Sequence, residues 1–328
     1  MTREEFDFEL ARIAGTVRER RCRTVFLQFP EGLKRKAGTV ASTLSGLTDA
    51  SVIVSGEPCY GACDIPATDA DLTVQFGHLP IPNLRTERSI LYIQARSNAD
   101  PLPAIEKSLP HLESPVGLLT TAQHIHLVDD MAQYLVSKGF EVHTGKGDGR
   151  LFAKGQVLGC NASAARAVSD RVNSYLFVGT GSFHPIAVAL VTPKPVIAAD
   201  PVTGEVTDIA EARDRMLRQR HAAIERGRTA ESFGIILSSK AGQRRMQTAF
   251  GIQAMLASSG LVSVIAEFDT VTPQKLESLG FGAWVSTACP RLAIDDYSAY
   301  RVPILTVPEA EIMVGRRSWD DYVLDEIE

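Results

Sequence analysis

Short β-branched runs alternate with amphipathic stretches along all 328 residues, and the alternation comes round three times. Strands joined by helical crossovers must run parallel and carry helices on their faces, so this pattern limits the chain to an α/β architecture. In the first third RTVFLQF (23–29), SVIVSG (51–56), DLTVQFG (71–77) and SILYIQA (89–95) read as strands, with a helix over 32–47 after Pro30. The second third offers VGLLTT (116–121), FEVHTG (140–145), YLFVGT (175–180) and PVIAAD (195–200), with helices near 124–138, 162–172 and 184–191. The last offers FGIILSS (233–239), LVSVIAEF (261–268), AWVSTA (283–288) and PILTVP (303–308). We expect three related α/β domains, 1–112, 113–215 and 216–328, each a small, mostly parallel sheet flanked by helices. Linkers are expected near 99–115 and in the charged helix at 211–228.

Charge removes one class of function. A net charge of −5 argues against broad electrostatic binding to nucleic acid, which needs a basic stripe to displace counterions. The most basic stretch, EARDRMLRQRHAAIERGR (211–228), interleaves acids with its arginines at helical spacing, the mark of a solvated helix face. MTREEFDFELARIAG at the N-terminus has no apolar segment of signal-peptide length, and no run approaches the ~18 apolar residues of a membrane span, so a cytoplasmic protein is expected. Five scattered cysteines do not make a secreted disulfide framework, which leaves metal ligation or thiol chemistry.

The cysteines follow the threefold pattern. Cys59 comes after a strand in the first third, Cys160 follows GQVLG in the second and Cys289 follows AWVSTA in the third. Loops beyond the carboxyl ends of parallel strands are where such sheets bind ligands. Three units around a common axis could therefore bring three thiolates to one point. Three thiolates ligate three irons of a 4Fe-4S cluster and leave the fourth open to a substrate, whereas zinc would want a fourth ligand and usually a C-x2-C pair. Against this stands the ordinary behaviour of a buried cysteine, a small hydrophobe. The flanks favour the ligand reading: Gly56, Pro58 and Gly61 around Cys59, Gly159 and Asn161 around Cys160, and Ala288 and Pro290 around Cys289 all break regular structure. Cys63, spaced C-x3-C from Cys59 in GEPCYGACD (56–64), is compatible with a helical-turn pair or with no role. Cys22, in RERRCR, reads as incidental. Gly179, Gly181 and Ser182 precede a helix starting near His184, where backbone amides could hold a carboxylate or simply turn the chain. His124 and His126, two apart, cannot share a helix face and receive no chemistry. Glu31 is expected to cap a helix or touch a neighbouring domain.

Six stretches together resemble one family: LQFPEGLK (27–34), EPCYGACD (57–64), LGCN (158–161), GTGSFHPIAVAL (179–190), SSKAGQRR (238–245) and ACPRLAIDDY (288–297). They are similar, in order, to the archaeal enzymes of the first step of diphthamide biosynthesis, the 2-(3-amino-3-carboxypropyl)histidine synthases. The resemblance implies a homodimer, three related domains around a central 4Fe-4S cluster, and Cys59, Cys160 and Cys289 as its ligands and catalytic residues, with Cys63 outside the set. It implies S-adenosylmethionine as substrate without the C-x3-C-x2-C loop of ordinary radical enzymes, and Pro66 and Ala67 stand here where a third cysteine would be sought. It further implies an external electron donor and, as partner, translation elongation factor 2, one histidine of which receives a 3-amino-3-carboxypropyl group on imidazole C2. A neutral aromatic carbon is a poor nucleophile, so a radical made by cleaving the sulfonium to methionine Cγ bond, with methylthioadenosine as by-product, is an intelligible route. Gly181, Ser182, His184, Gln243 and Arg291 are the expected cofactor-binding residues, Arg291 through a bidentate fork and Gln243 alternatively as a helix cap. Asp295 and Asp296 would orient Arg291, help remove a proton, or lie solvated. Two other readings stand beside this one: a quinolinate synthase-like enzyme using the open iron as a Lewis acid, and a cluster-bearing partner subunit without catalysis. The quoted motifs look unlike the first, and GQRR with CPR favours a catalytic chain over the second.

Overall fold

A computed structural model describes residues 6–295 and 297–327. The first sheet contains β2 (Thr24–Gln28), β3 (Ser51–Val54), β4 (Leu72–Phe76) and β5 (Ile90–Ile93), with α1 (Leu10–Glu19) and α2 (Ala37–Leu47) packed on it. A short antiparallel ribbon joins β1 (Phe6–Asp7) to β6 (Arg96–Ser97). The second sheet contains β7 (Val116–Thr120), β8 (Val142–His143), β9 (Ser174–Val178), β10 (Val196–Ala199) and β11 (Val206–Asp208), with α3 (Leu102–Ser108), α4 (Val128–Ser137), α5 (Ser163–Arg166) and α6 (Phe183–Val191). The third contains β12 (Ser232–Ser238), β13 (Val262–Phe268), β14 (Ala283–Ser286) and β15 (Ile304–Leu305), with α7 (Ala210–Arg228), α8 (Met246–Ser258), α9 (Pro273–Leu279), α10 (Arg291–Ile294) and α11 (Val307–Met313).

The orders β3-β2-β4-β5, β8-β7-β9-β10 and β13-β12-β14-β15 are one topology, with the second strand outside the first and the third and fourth on its other side. All these pairings are parallel, and β11 adds an antiparallel edge in the second sheet. The central strands β4, β7 and β9 are buried throughout, as expected of strands covered on both faces.

Three features differ from the sequence reading. Residues 99–115 are not a linker: α3 and the turn Leu109–His111 bury Ala104 and Ile105 in the core beside Val116 and Leu118. The prolines misled, because Pro101 caps α3 and Pro103 lies in its first turn, where no helical N–H donation is required. The predicted strand at 303–308 stops at Leu305, because Thr306 and Glu309 form a capping box that starts α11. Nor is α7 only a solvated face. Its Met216 packs with Ala187 and Ile294, its Ile224 enters the third core, and between them Arg220 is fully buried. Arg220 grips both oxygens of Glu309, at 2.8 and 2.6 Å, and donates to the carbonyls of Ala293 and Ile304 at 2.5 and 2.6 Å. The helix thus ties the second sheet's layer to the third.

Candidate active site

The carboxyl ends of the three sheets face a common cavity of about 400 Å³. Pro30 and Glu31 reach it from beyond β2, His78 from beyond β4, Thr121 and Ala122 from beyond β7, Phe183 and His184 from beyond β9, and Cys289 and Arg291 from beyond β14. Four thiols line it, those of Cys59, Cys63, Cys160 and Cys289, so each sheet contributes at least one. Their topological positions are not equivalent: Cys59, Cys63 and Cys160 lie between the second and third strands of their sheets, whereas Cys289 follows the third. All five cysteines are free, and Cys22 packs on the first core instead.

Local sequence explains how the walls approach. A Cβ on Gly159 would lie 1.6 Å from the Phe183 ring, so only glycine lets that ring close against the backbone preceding Cys160. A Cβ on Gly242 would lie 2.6 Å from Cα of Cys63. Glycine there lets the third unit's turn Ala241–Gln243 press against the first unit, with the Gly242 N–H donating to the Cys63 carbonyl at 3.2 Å. Gln243 Nε2 then donates to Cys63 Sγ at 3.2 Å. Beside it, Lys240 Nζ meets the Asp64 carboxylate at 2.6 Å, both buried, and lies 5.6 Å from the centre of the Tyr60 ring.

Burial dominates the electrostatics. It pushes the Cys160 thiol up to about 11, with the Cys63 sulfur adding to the rise and Arg150 opposing it. Cys289 is also raised, first by burial and then by the neighbouring Cys160 and Cys63 sulfurs. Cys59 is raised by burial too, and its Sγ lies 3.7 Å from the Gly61 carbonyl and 3.9 Å from His78 Nδ1. His78 and His184 are held down to about 4 by burial and are neutral at pH 7.

The remaining expected residues divide. His184 and Arg291 line the cavity; the Arg291 guanidinium stacks 4.6 Å from the Phe183 ring centre, and its Nε donates to Asp295 at 2.7 Å. Asp295 therefore orients Arg291; Asp296 lies outside the described residues. Gly181 and Ser182 are exposed at the start of α6 and do not line this cavity. Gln243 does not line it either, nor does it cap a helix by its side chain; it lines a smaller pocket of about 80 Å³ shared with Cys289 and Arg291. Glu31 lines the cavity, and its carboxylate pairs with Lys34 at 2.5 Å. His124 is buried away from the cavity. Sequence reading did not single out Arg150, His78 or the Asp64–Lys240 pair, which lie at or beside the cavity.

Among the described residues no three His, Cys, Asp or Glu side chains are close enough to share a single metal ion. The thiols stand around a space instead, and soft thiolates on its several walls suit a polynuclear iron–sulfur group better than one tetrahedral ion.

Comparison with known proteins agrees with this geometry. The family model described as diphthamide synthesis protein matches residues 29–323. The 2-(3-amino-3-carboxypropyl)histidine synthase of Pyrococcus horikoshii is 37% identical over 311 residues, covering 92% of this chain and 88% of that one. Subunit 1 of the human synthase is 28% identical, covering 98% of this chain and 75% of the human one. The crystal structure of Dph2 from Pyrococcus horikoshii with a 4Fe-4S cluster superposes with a TM-score of 0.89 at 35% identity, covering 98% of this chain and 94% of that one. The chain belongs to the diphthamide synthesis protein family, which includes the 2-(3-amino-3-carboxypropyl)histidine synthases.

Proposed function

We propose that this protein is a 2-(3-amino-3-carboxypropyl)histidine synthase that transfers the 3-amino-3-carboxypropyl group of S-adenosylmethionine to C2 of a histidine imidazole in translation elongation factor 2. The observation that carries the reading is the meeting of thiols from all three sheets on one buried cavity, beside an oriented arginine. Cys160, Cys289 and one first-sheet thiol would hold a 4Fe-4S cluster. Cys59 is proposed for that third place, and Cys63, whose Sγ accepts from Gln243 of the third unit, is the alternative.

When bound, the reduced cluster supplies the electron that cleaves the sulfonium to Cγ bond. Cleavage would leave methylthioadenosine and an aminocarboxypropyl radical, and its addition to C2 would be completed by loss of the C2 proton to a base and return of one electron to the oxidised cluster, so that no net oxidant is needed. Arg291, held by Asp295 and the Phe183 ring, would bind the carboxylate of the transferred group by paired charge-assisted hydrogen bonds. Neutral His78 or His184 can accept the C2 proton on a ring nitrogen. Val157, Leu158 and Phe183 give the cavity apolar walls that exclude water from the radical. The amides at Gly181 and Ser182 and the Gln243 amide are secondary candidates for holding the rest of the substrate.

The first unit boundary lies ahead of α3, which packs on the second sheet, and the second near 215/216, inside α7. We place the protein in the cytoplasm, where thiols stay reduced and an external donor can recharge the cluster. A homodimer is supported by the edge strands β3 and β13, which expose Ile53, Val54, Val262 and Val264 beside unpaired backbone groups. The test is anaerobic incubation of reconstituted wild type and Arg291→Ala with S-adenosylmethionine and reductant, followed by nucleoside analysis. Wild type should release methylthioadenosine, and the variant should keep its iron but bind the substrate about 2–5 kcal/mol less tightly. Release of 5′-deoxyadenosine alone would contradict the reading.

A further inference from the structure

Arg150 is a buried cation without a carboxylate partner among the described residues. It is 4% exposed; its Nη2 donates to the Gly242 carbonyl at 3.0 Å, and its Nε has no partner. The other two buried cations among the described residues each hold a carboxylate, Arg220 on Glu309 and Lys240 on Asp64. Arg150 forms no such pair among the described residues. The acid nearest in sequence, Asp148, is engaged elsewhere: its Oδ1 accepts the Arg150 backbone N–H at 2.9 Å and its Oδ2 accepts from Asn161 at 2.7 Å.

Arginine cannot shed its proton, and a buried charge left uncompensated is strongly destabilising. Arg150 instead shares the cavity wall with Cys63 and Cys160. It also joins the three units at one point, since it springs from the second, bonds the third-unit turn at Gly242, and that turn bonds Cys63 of the first.

We propose that Arg150 is the fixed counter-charge of the cysteine set, a positioning residue that balances the thiolates when they hold the cluster and favours its reduced state. The proposal rests on the cluster reading above. Net charge and hydrogen bonds near the sulfurs set the reduction potential of such groups, and a fixed cation stabilises the form carrying the extra electron.

The test uses full-length wild type, Arg150→Gln and Arg150→Lys, each reconstituted and assayed for iron and sulfide, then titrated electrochemically with the reduced-state EPR signal as readout. We expect the Gln variant to keep its cluster with a midpoint shifted negative and a smaller reduced fraction at fixed dithionite, and the Lys variant to stay close to wild type. A Gln variant with the wild-type midpoint, or a Lys variant shifted as far as Gln, would overturn the assignment. Failure of wild type itself to take up iron would instead overturn the cluster reading. Melting of the cluster-free proteins supplies an independent arm: relieved of an unpaired charge, Arg150→Gln should melt no lower than wild type. A fall of several degrees, with poor iron uptake, would make Arg150 a packing residue and overturn the proposal.

Discussion

Two cysteines four residues apart line the cavity from the first unit: Cys63 Sγ accepts from Gln243 of the third unit, while Cys59 Sγ lies near the Gly61 carbonyl and His78. Cys59→Ala should lose most of its iron, sulfide and EPR signal after reconstitution, and Cys63→Ala should retain most of each; the reverse pattern would give the ligand role to Cys63. Spacing alone does not choose between them, because one loop holds both thiols and Gln243, which contacts Cys63, lies far along the chain. Arg291 was legible, because its place two residues after Cys289 and four before Asp295 confines it to the same short helix.

At the level of elements, the four parallel strands of each sheet emerged from composition because they are short β-branched runs, most clearly in the buried central strands, whereas the antiparallel β1, β6 and β11 carry no such run. What escaped were elements whose residues carry misleading local signals: α3 with its prolines, and β15 shortened by the capping box at Thr306. The turn Ala241–Gln243 is the element on which the site depends most, since it touches Cys63 by backbone and side chain and takes the Arg150 guanidinium. Gly242→Ala would put a methyl group 2.6 Å from Cα and Cβ of Cys63. Overpacking of this kind costs about 1–3 kcal/mol, so the variant should melt several degrees lower and load less iron. An unchanged melting temperature with full iron content would show that the turn relaxes freely.

In the whole molecule, three copies of one sheet topology turn their carboxyl ends to a shared cavity, and α7 with its buried Arg220–Glu309 pair binds the second copy to the third. The repeat was legible from the thrice-returning strand pattern; the inequivalent positions of the cysteines on it were not, because topology becomes visible only once strand order is known. The exposed β3 and β13 edges predict a dimer in sedimentation at micromolar concentration, and a fully active monomer would argue against any requirement for it. The central claim is the transfer itself. Anaerobic reaction of the reconstituted protein with S-adenosylmethionine, reductant and elongation factor 2, followed by intact-mass and fragment analysis of the factor, measures it directly. The account predicts one added aminocarboxypropyl group, on the C2 carbon of a single histidine, absent when Cys160 or Cys289 is replaced by alanine. An unmodified factor in a reaction where the cluster is present and reduced would contradict it.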